Sequence, residues 1–210
     1  MSDFKQKIKN ARDEREKGDL NKSLEMFLEI DKNSLDLPQL VDFLTELGLT
    51  YWHLKQYTES KAMFEEAREV AEKIGNKSLT ALVYRQLSRP ELNEDPFQAV
   101  VYAKKARELA KESGRSDLPW FDHGVVSALI STNAPKTEIE EWFEIEALDL
   151  YELGSQNQDD VAKWVWATGM LIDRFHLSGS KSDLYLALMI AEKFSLSRRI
   201  GQIEEILTFL

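Results

Sequence analysis

Apolar side chains recur along this chain at three- and four-residue steps, interrupted at short intervals by turn signals. Leu44, Leu47, Gly48, Tyr51 and Leu54 place an apolar stripe with one small residue on a helix face. Lys55 and Gln56 interrupt it. Tyr57, Met63, Phe64, Ala67, Val70, Ala71 and Ile74 then form a second stripe at helical spacing. Thr58 is placed to cap the second helix and Gly75 to end it. Small residues stand opposite large ones, Gly48 against a bulky neighbour and Ala67 beside Phe64. The pattern predicts two antiparallel helices in close approach.

The same pattern precedes this pair. Residues 4–17 predict a helix with Phe4, Ile8 and Ala11 apolar, Gly18-Asp19 a turn, and Leu20, Leu24, Phe27, Leu28 and Ile30 a second stripe. Ala11, Gly18, Leu20, Ser23 and Phe27 align with Gly48, Lys55, Tyr57, Ser60 and Phe64 at one offset of 37 residues, without a gap. Downstream the copies drift. Asp36-Leu37-Pro38 starts the helix that enters the 47–75 stretch, and Asn76 or Ser78 caps the next, predicted to run to about Arg89. RPELNEDP, 89–96, holds two prolines and predicts a long connection, with Asp95-Pro96 starting the following helix. There Ala103 replaces Phe64, and Phe97, Val100 or Tyr102 is expected to compensate. Asp117 with Pro119 starts another helix, and Thr137 to Leu153 the next, closed by Gly154. Asp159 or Asp160 is placed to cap the one after, and Ser180 with Asp183 the next. Residues 200–210 form a short amphipathic helix that would cover the last pair.

Leu47-Gly48-x-x-Tyr51 followed by Ser60-x-x-x-Phe64-x-x-Ala67 resembles the tetratricopeptide repeat. Leu44 stands where that family often has Trp and Ser60 where it often has Ala, and the proline common near the end of the unit is missing. The resemblance implies an all-α fold, a right-handed α-solenoid of about five antiparallel helix pairs with a C-terminal capping helix. The units fall at about 4–36, 37–75, 76–114, 117–154 and 159–197, with the cap at 200–210, in one repeat domain spanning 1–210. From Phe27 through Phe64, Ala103 and Phe143 to Leu188 the steps are 37, 39, 40 and 45. They exceed the ~34 residues of a tetratricopeptide unit and approach HEAT and armadillo lengths, so a HEAT-like superhelix is the alternative.

Composition narrows the function classes. The 210 residues are 43% hydrophobic and 30% charged, enough for a sizeable core, and the net charge of −10 disfavours a broad phosphate-binding surface. The basic residues near the N-terminus, from Lys5 to Lys22, are interleaved with Asp13, Glu14, Glu16 and Asp19 and predict a solvated helix face. No cysteine is present, so disulfides and thiolate chemistry are excluded. No window reaches the ~18 apolar residues of a membrane span, and no signal-peptide core is found, so the expectation is a cytoplasmic protein with neither membrane nor nucleic acid as partner.

Catalysis is not expected. His53, His123 and His176 have no metal-ligand spacing, Ser178-Gly179-Ser180 is a turn and not a nucleophile elbow, and neighbouring Glu pairs such as Glu140-Glu141 point to different faces. No cofactor or metal is implied. Glu138, Glu140, Glu141, Glu144, Glu146, Asp149 and Glu152 form a one-sided acidic run, either solvated or a docking surface for a basic segment. Trp164 and Trp166 lie on opposite sides of one helix, so one is expected to be exposed.

The resemblance further implies an interaction scaffold whose first helices line a concave groove for a partner's peptide. Carried over by position, that groove takes Ile8, Arg12 and Arg15, then Thr45, Leu49, Trp52 and His53, then Leu82, Arg85 and Gln86. It continues through Phe121, Val125 and Ala128 to Trp166, Met170 and Asp173. Ile8 and Glu46 stand where a terminal-carboxylate clamp would have Lys and Asn, which argues against a co-chaperone. The alternative function is a regulatory sensor that binds a small peptide or ligand and changes oligomeric state. Self-association is left open.

Overall fold

The computed structural model describes residues 3–156 and 161–210. Among them the regular structure is helical throughout, apart from one 3₁₀ turn at Lys32–Ser34, and eleven α-helices follow one another. They divide into two compact units, Met1–Ser113 and Gly114–Leu210.

The first unit holds α1 (Asp3–Glu16), α2 (Leu20–Leu28), α3 (Leu37–His53), α4 (Tyr57–Ile74), α5 (Lys77–Glu94) and α6 (Pro96–Glu112), paired in sequence. Local chemistry sets most boundaries. Asp36 accepts from the Gln39 amide while the Gln39 side chain accepts from Asp36, a reciprocal capping box ahead of Pro38. Asn76 and Asp95 cap α5 and α6 in the same manner, each accepting from the amide three residues on. Helix α4 starts at Tyr57 after Gln56 with no side-chain cap, so Thr58 lies inside it. The core of this unit comprises Ile8, Ala11, Phe27, Val41, Phe43, Leu44, Leu47, Phe64, Ala67, Ala71, Val83 and Leu87. At Gly48 a Cβ would stand 2.6 Å from the Phe64 ring, so α3 and α4 approach as closely as they do only because that side chain is absent. Ser60, in the same contact, donates to the Gly48 carbonyl at 2.9 Å, which satisfies the hydroxyl that replaces the family's usual methyl. Tyr102 supplies the bulk missing at Ala103, packing at 5.7 Å from Tyr84, whereas Phe97 is 74% exposed.

The turns α1–α2 and α3–α4 share a left-handed residue, Gly18 at φ 93° and Lys55 at φ 61°. Only the second bears a Cβ penalty, about 1–2 kcal/mol. Lys55→Gly is therefore expected to raise stability by up to about 1 kcal/mol after the added freedom of the unfolded chain is counted. A urea midpoint equal to or below wild type would contradict this.

The expected connection at 89–96 is a correction. Helix α5 continues through Pro90 to Glu94 and only Asp95 separates it from α6. A proline removes one amide donor and crowds the carbonyl four residues back, which ordinarily ends a helix. Here Ser88 donates its hydroxyl to the Arg85 carbonyl at 2.8 Å, and beyond the proline Asp95 donates to the Glu91 carbonyl at 2.9 Å. The extra turn is anchored by Glu91, 1% exposed, whose carboxylate takes the Lys61 ammonium of α4 at 2.7 Å. That bond raises the Lys61 pKa above its ordinary value. Packing of Pro90 and Glu91 outweighs the local breaker.

The second unit holds α7 (Leu118–Ser131), α8 (Lys136–Gln156), α9 (Val161–Ser178), α10 (Lys181–Lys193) and α11 (Ser197–Thr208). Leu171, Ile172, Phe175, Leu184, Ala187, Ala191 and Ile203 form one core, and Ile203, fully buried, places α11 over α9 and α10 as a closing helix. Helix α8 passes through Gly154 to Gln156, so that glycine does not end it. Asp159 and Asp160, expected to cap α9, lie outside the described residues.

Candidate functional site

The first helices of the three pairs in the first unit, α1, α3 and α5, carry a cluster of cations and one tryptophan. Arg12 and Arg15 lie one turn apart on α1 and both reach Glu46 of α3. Arg12 Nη2 is 2.9 Å from Glu46 Oε1, and Arg15 Nη2 is 2.7 Å from Oε2, with Arg15 Nη1 donating to the Glu46 carbonyl at 3.0 Å. Each oxygen of Glu46 is therefore engaged by one guanidinium. Asp42, one turn earlier and 3.9 Å from Arg12, has its pKa raised by partial burial and by Glu46.

Trp52 is half-buried at the end of α3, edge-on to His53 at 4.9 Å. The guanidinium of Arg89 lies over the indole, 5.2 Å from its centroid. Burial and the like charge of Arg15 lower the Arg89 pKa to about 10. Arg15, Trp52 and Arg89 are each 37 residues apart, the offset that relates the first two units. The groove positions expected from the sequence end at Gln86, one turn short of Arg89, because Pro90 ordinarily ends a helix. The heptad step from Leu82 through Arg85 and Gln86 to Arg89 was the signal that could have found it.

The remaining groove candidates fall in several environments. Thr45, Leu49 and Leu82 are half-buried and His53 is exposed. Ile8, at 1% exposure, is closed into the core, and Arg85 and Gln86 are buried. In the second unit Phe121, Val125 and Ala128 are fully buried, while Trp166, Met170 and Asp173 are half-buried. Trp164 and Trp166 are both half-buried, so neither is exposed as expected. Trp164 stacks on Phe194 at 4.3 Å with the Lys163 ammonium 4.6 Å from its ring.

Glu146 departs from the acidic run of α8. It is fully buried on the face of Ile139 and Phe143 and meets a polar cluster inside the second unit. His123 Nδ1 lies 3.7 Å from Glu146 Oε1 and 3.4 Å from Asp173 Oδ2. Gly169 leaves room for the fourth member: a Cβ there would stand 3.0 Å from Arg199 Nη2 and 3.3 Å from His123 Cε1. Arg199 donates to the Val165 carbonyl at 3.2 Å. Burial pushes the Asp173 carboxyl up to about 7 against the opposing pull of Arg199. Among the described residues, no group of three or more His, Asp or Glu side chains is arranged to hold a metal ion, and no helix is long and apolar enough to cross a membrane.

A model of the tetratricopeptide repeat matches residues 40–112, which span α3 to α6. Over residues 40–112 the chain is similar to tetratricopeptide repeats. The fold is that of an all-α helical repeat protein, and tetratricopeptide repeats are scaffolds for protein interaction. A crystal structure of Rap protein complexed with competence and sporulation factor superposes with a TM-score of 0.75 at 12% identity, over 95% of this chain. The chain spans 56% of the length of that protein. A putative kinesin light chain with nearly identical tetratricopeptide-like repeats from Podospora anserina superposes with a TM-score of 0.62 at 12% identity, over 94% of this chain and 99% of its own. No curated protein sequence matches the chain.

Proposed function

We propose that the chain is an adaptor that captures a peptide segment of another protein on the face lined by α1, α3 and α5. The observation that carries this is the row Arg15, Trp52 and Arg89, which sets a half-buried aromatic and two cations on the first helices of successive repeats. A partly exposed tryptophan flanked by arginine is the composition of an interaction hot spot. The Rap protein relative is itself a complex with another molecule, which is consistent with a fold of this kind serving as a receptor. The reading is of a cytoplasmic, non-catalytic binding protein, one repeat domain over 1–210, whose partner is a protein and neither nucleic acid nor membrane. Its net charge of −10 supports the exclusion of nucleic acid.

Affinity capture from native lysate tests it. Immobilised wild type should retain a defined partner, and Trp52→Ala combined with His53→Ala should reduce that retention at least tenfold while circular dichroism shows an intact helical fold. Equal retention by the folded double variant would remove the groove from the function.

A further inference from the structure

Arg89 differs from the other arginines of its face. Arg12 and Arg15 share Glu46, one oxygen each. Arg89 has the Trp52 ring beneath it and makes no hydrogen bond or ion pair with any described residue. Arg12 and Arg15 draw on Glu46, Asp42 and Glu16, none of which reaches Arg89, and Asp42 is held toward its neutral form. A partly desolvated cation without an anion is unfavourable. Burial, and after it the charge of Arg15, lower the Arg89 pKa to about 10. A guanidinium held flat on an aromatic face keeps its N–H edge free, and that edge matches the two oxygens of a carboxylate.

We propose, resting on the groove reading, that Arg89 on its Trp52 platform binds the carboxylate of an acidic side chain in the captured segment. Neither Arg12 nor Arg15 supplies this site, because Glu46 already occupies both. The preference that results is for a segment with Asp or Glu at one fixed position.

The test uses the full chain and a random pool of N-acetylated, C-amidated octapeptides, with retained peptides identified by mass spectrometry. Wild type should enrich peptides with Asp or Glu at one position. For the best of these, Arg89→Gln should weaken binding at least tenfold, Arg89→Lys should restore part of it, and the Asn or Gln analogue should bind wild type and Arg89→Gln alike. Thermal melting checks folding, and because Arg89→Gln removes an unpaired cation its midpoint should equal or exceed wild type. Enrichment without an acidic position, or an acidic preference that survives Arg89→Gln, overturns the carboxylate site and leaves the groove standing. Enrichment only in a parallel pool with free C-termini overturns the side-chain assignment. No enrichment from either pool overturns the groove reading as well.

Discussion

Phe64→Ala is expected to destabilise the first unit by about 3–5 kcal/mol, the range for deleting a buried aromatic side chain. Phe64 is fully buried, and its ring fills the space left by Gly48 on the facing helix. The contact is too close for relaxation to fill the resulting cavity cheaply. The same geometry predicts a coupling. Gly48→Ala alone would put a methyl group 2.6 Å from a ring carbon and is expected to cost about 1–3 kcal/mol through overpacking. In the Phe64→Ala background that clash is gone, and the helix propensity of Ala over Gly, about 1 kcal/mol, should make the same substitution stabilising. Urea unfolding of the four proteins gives the cycle. Additive effects would show that the two residues do not meet as described.

Asp173→Asn is expected to flatten the pH dependence of stability. The folded carboxyl has its pKa near 7, against about 3.9 for an unfolded aspartate. A raised folded pKa means that the folded state holds the proton more tightly. The contribution is present in full below about pH 4 and is lost as pH rises through 7. Three pK units correspond to about 4 kcal/mol at most. The Asp173 side chain is 22% exposed, so solvent screening brings the expected loss to about 2–3 kcal/mol. An amide cannot ionise, yet keeps an oxygen toward His123 at 3.4 Å. Asp173→Asn should therefore be more stable than wild type at pH 8 and similar to it at pH 4. Thermal melts across that window decide it. An unchanged slope in the variant would place the titration elsewhere.

The helix pairs were legible because they rest on short-range signals. The stripe 57–74, the Asp36 cap and the left-handed Gly75 concern residues within a few turns of one another, and each was found where expected. The site was only partly legible. Arg12, Arg15 and Trp52 follow from the 37-residue offset, but nothing in the spacing says that both arginines turn to Glu46. Glu146 was read as one acidic residue among seven. Its position three residues after Phe143 on an apolar face was the available sign of burial.

By itself the sequence determined an all-α chain of paired helices, the close approach at Gly48, and a resemblance to the tetratricopeptide repeat over residues 4–75. These depend on periodicity, residue size and turn chemistry, which act locally. Tertiary structure decided whether Pro90 ends a helix, since the answer rests on Lys61 and Glu91 meeting across two helices. It also decided which arginine of that face lacks an anion among the described residues. A guanidinium's neighbours are set by helices tens of residues away, and only the fold shows that Glu46 satisfies two of them and leaves Arg89 to Trp52.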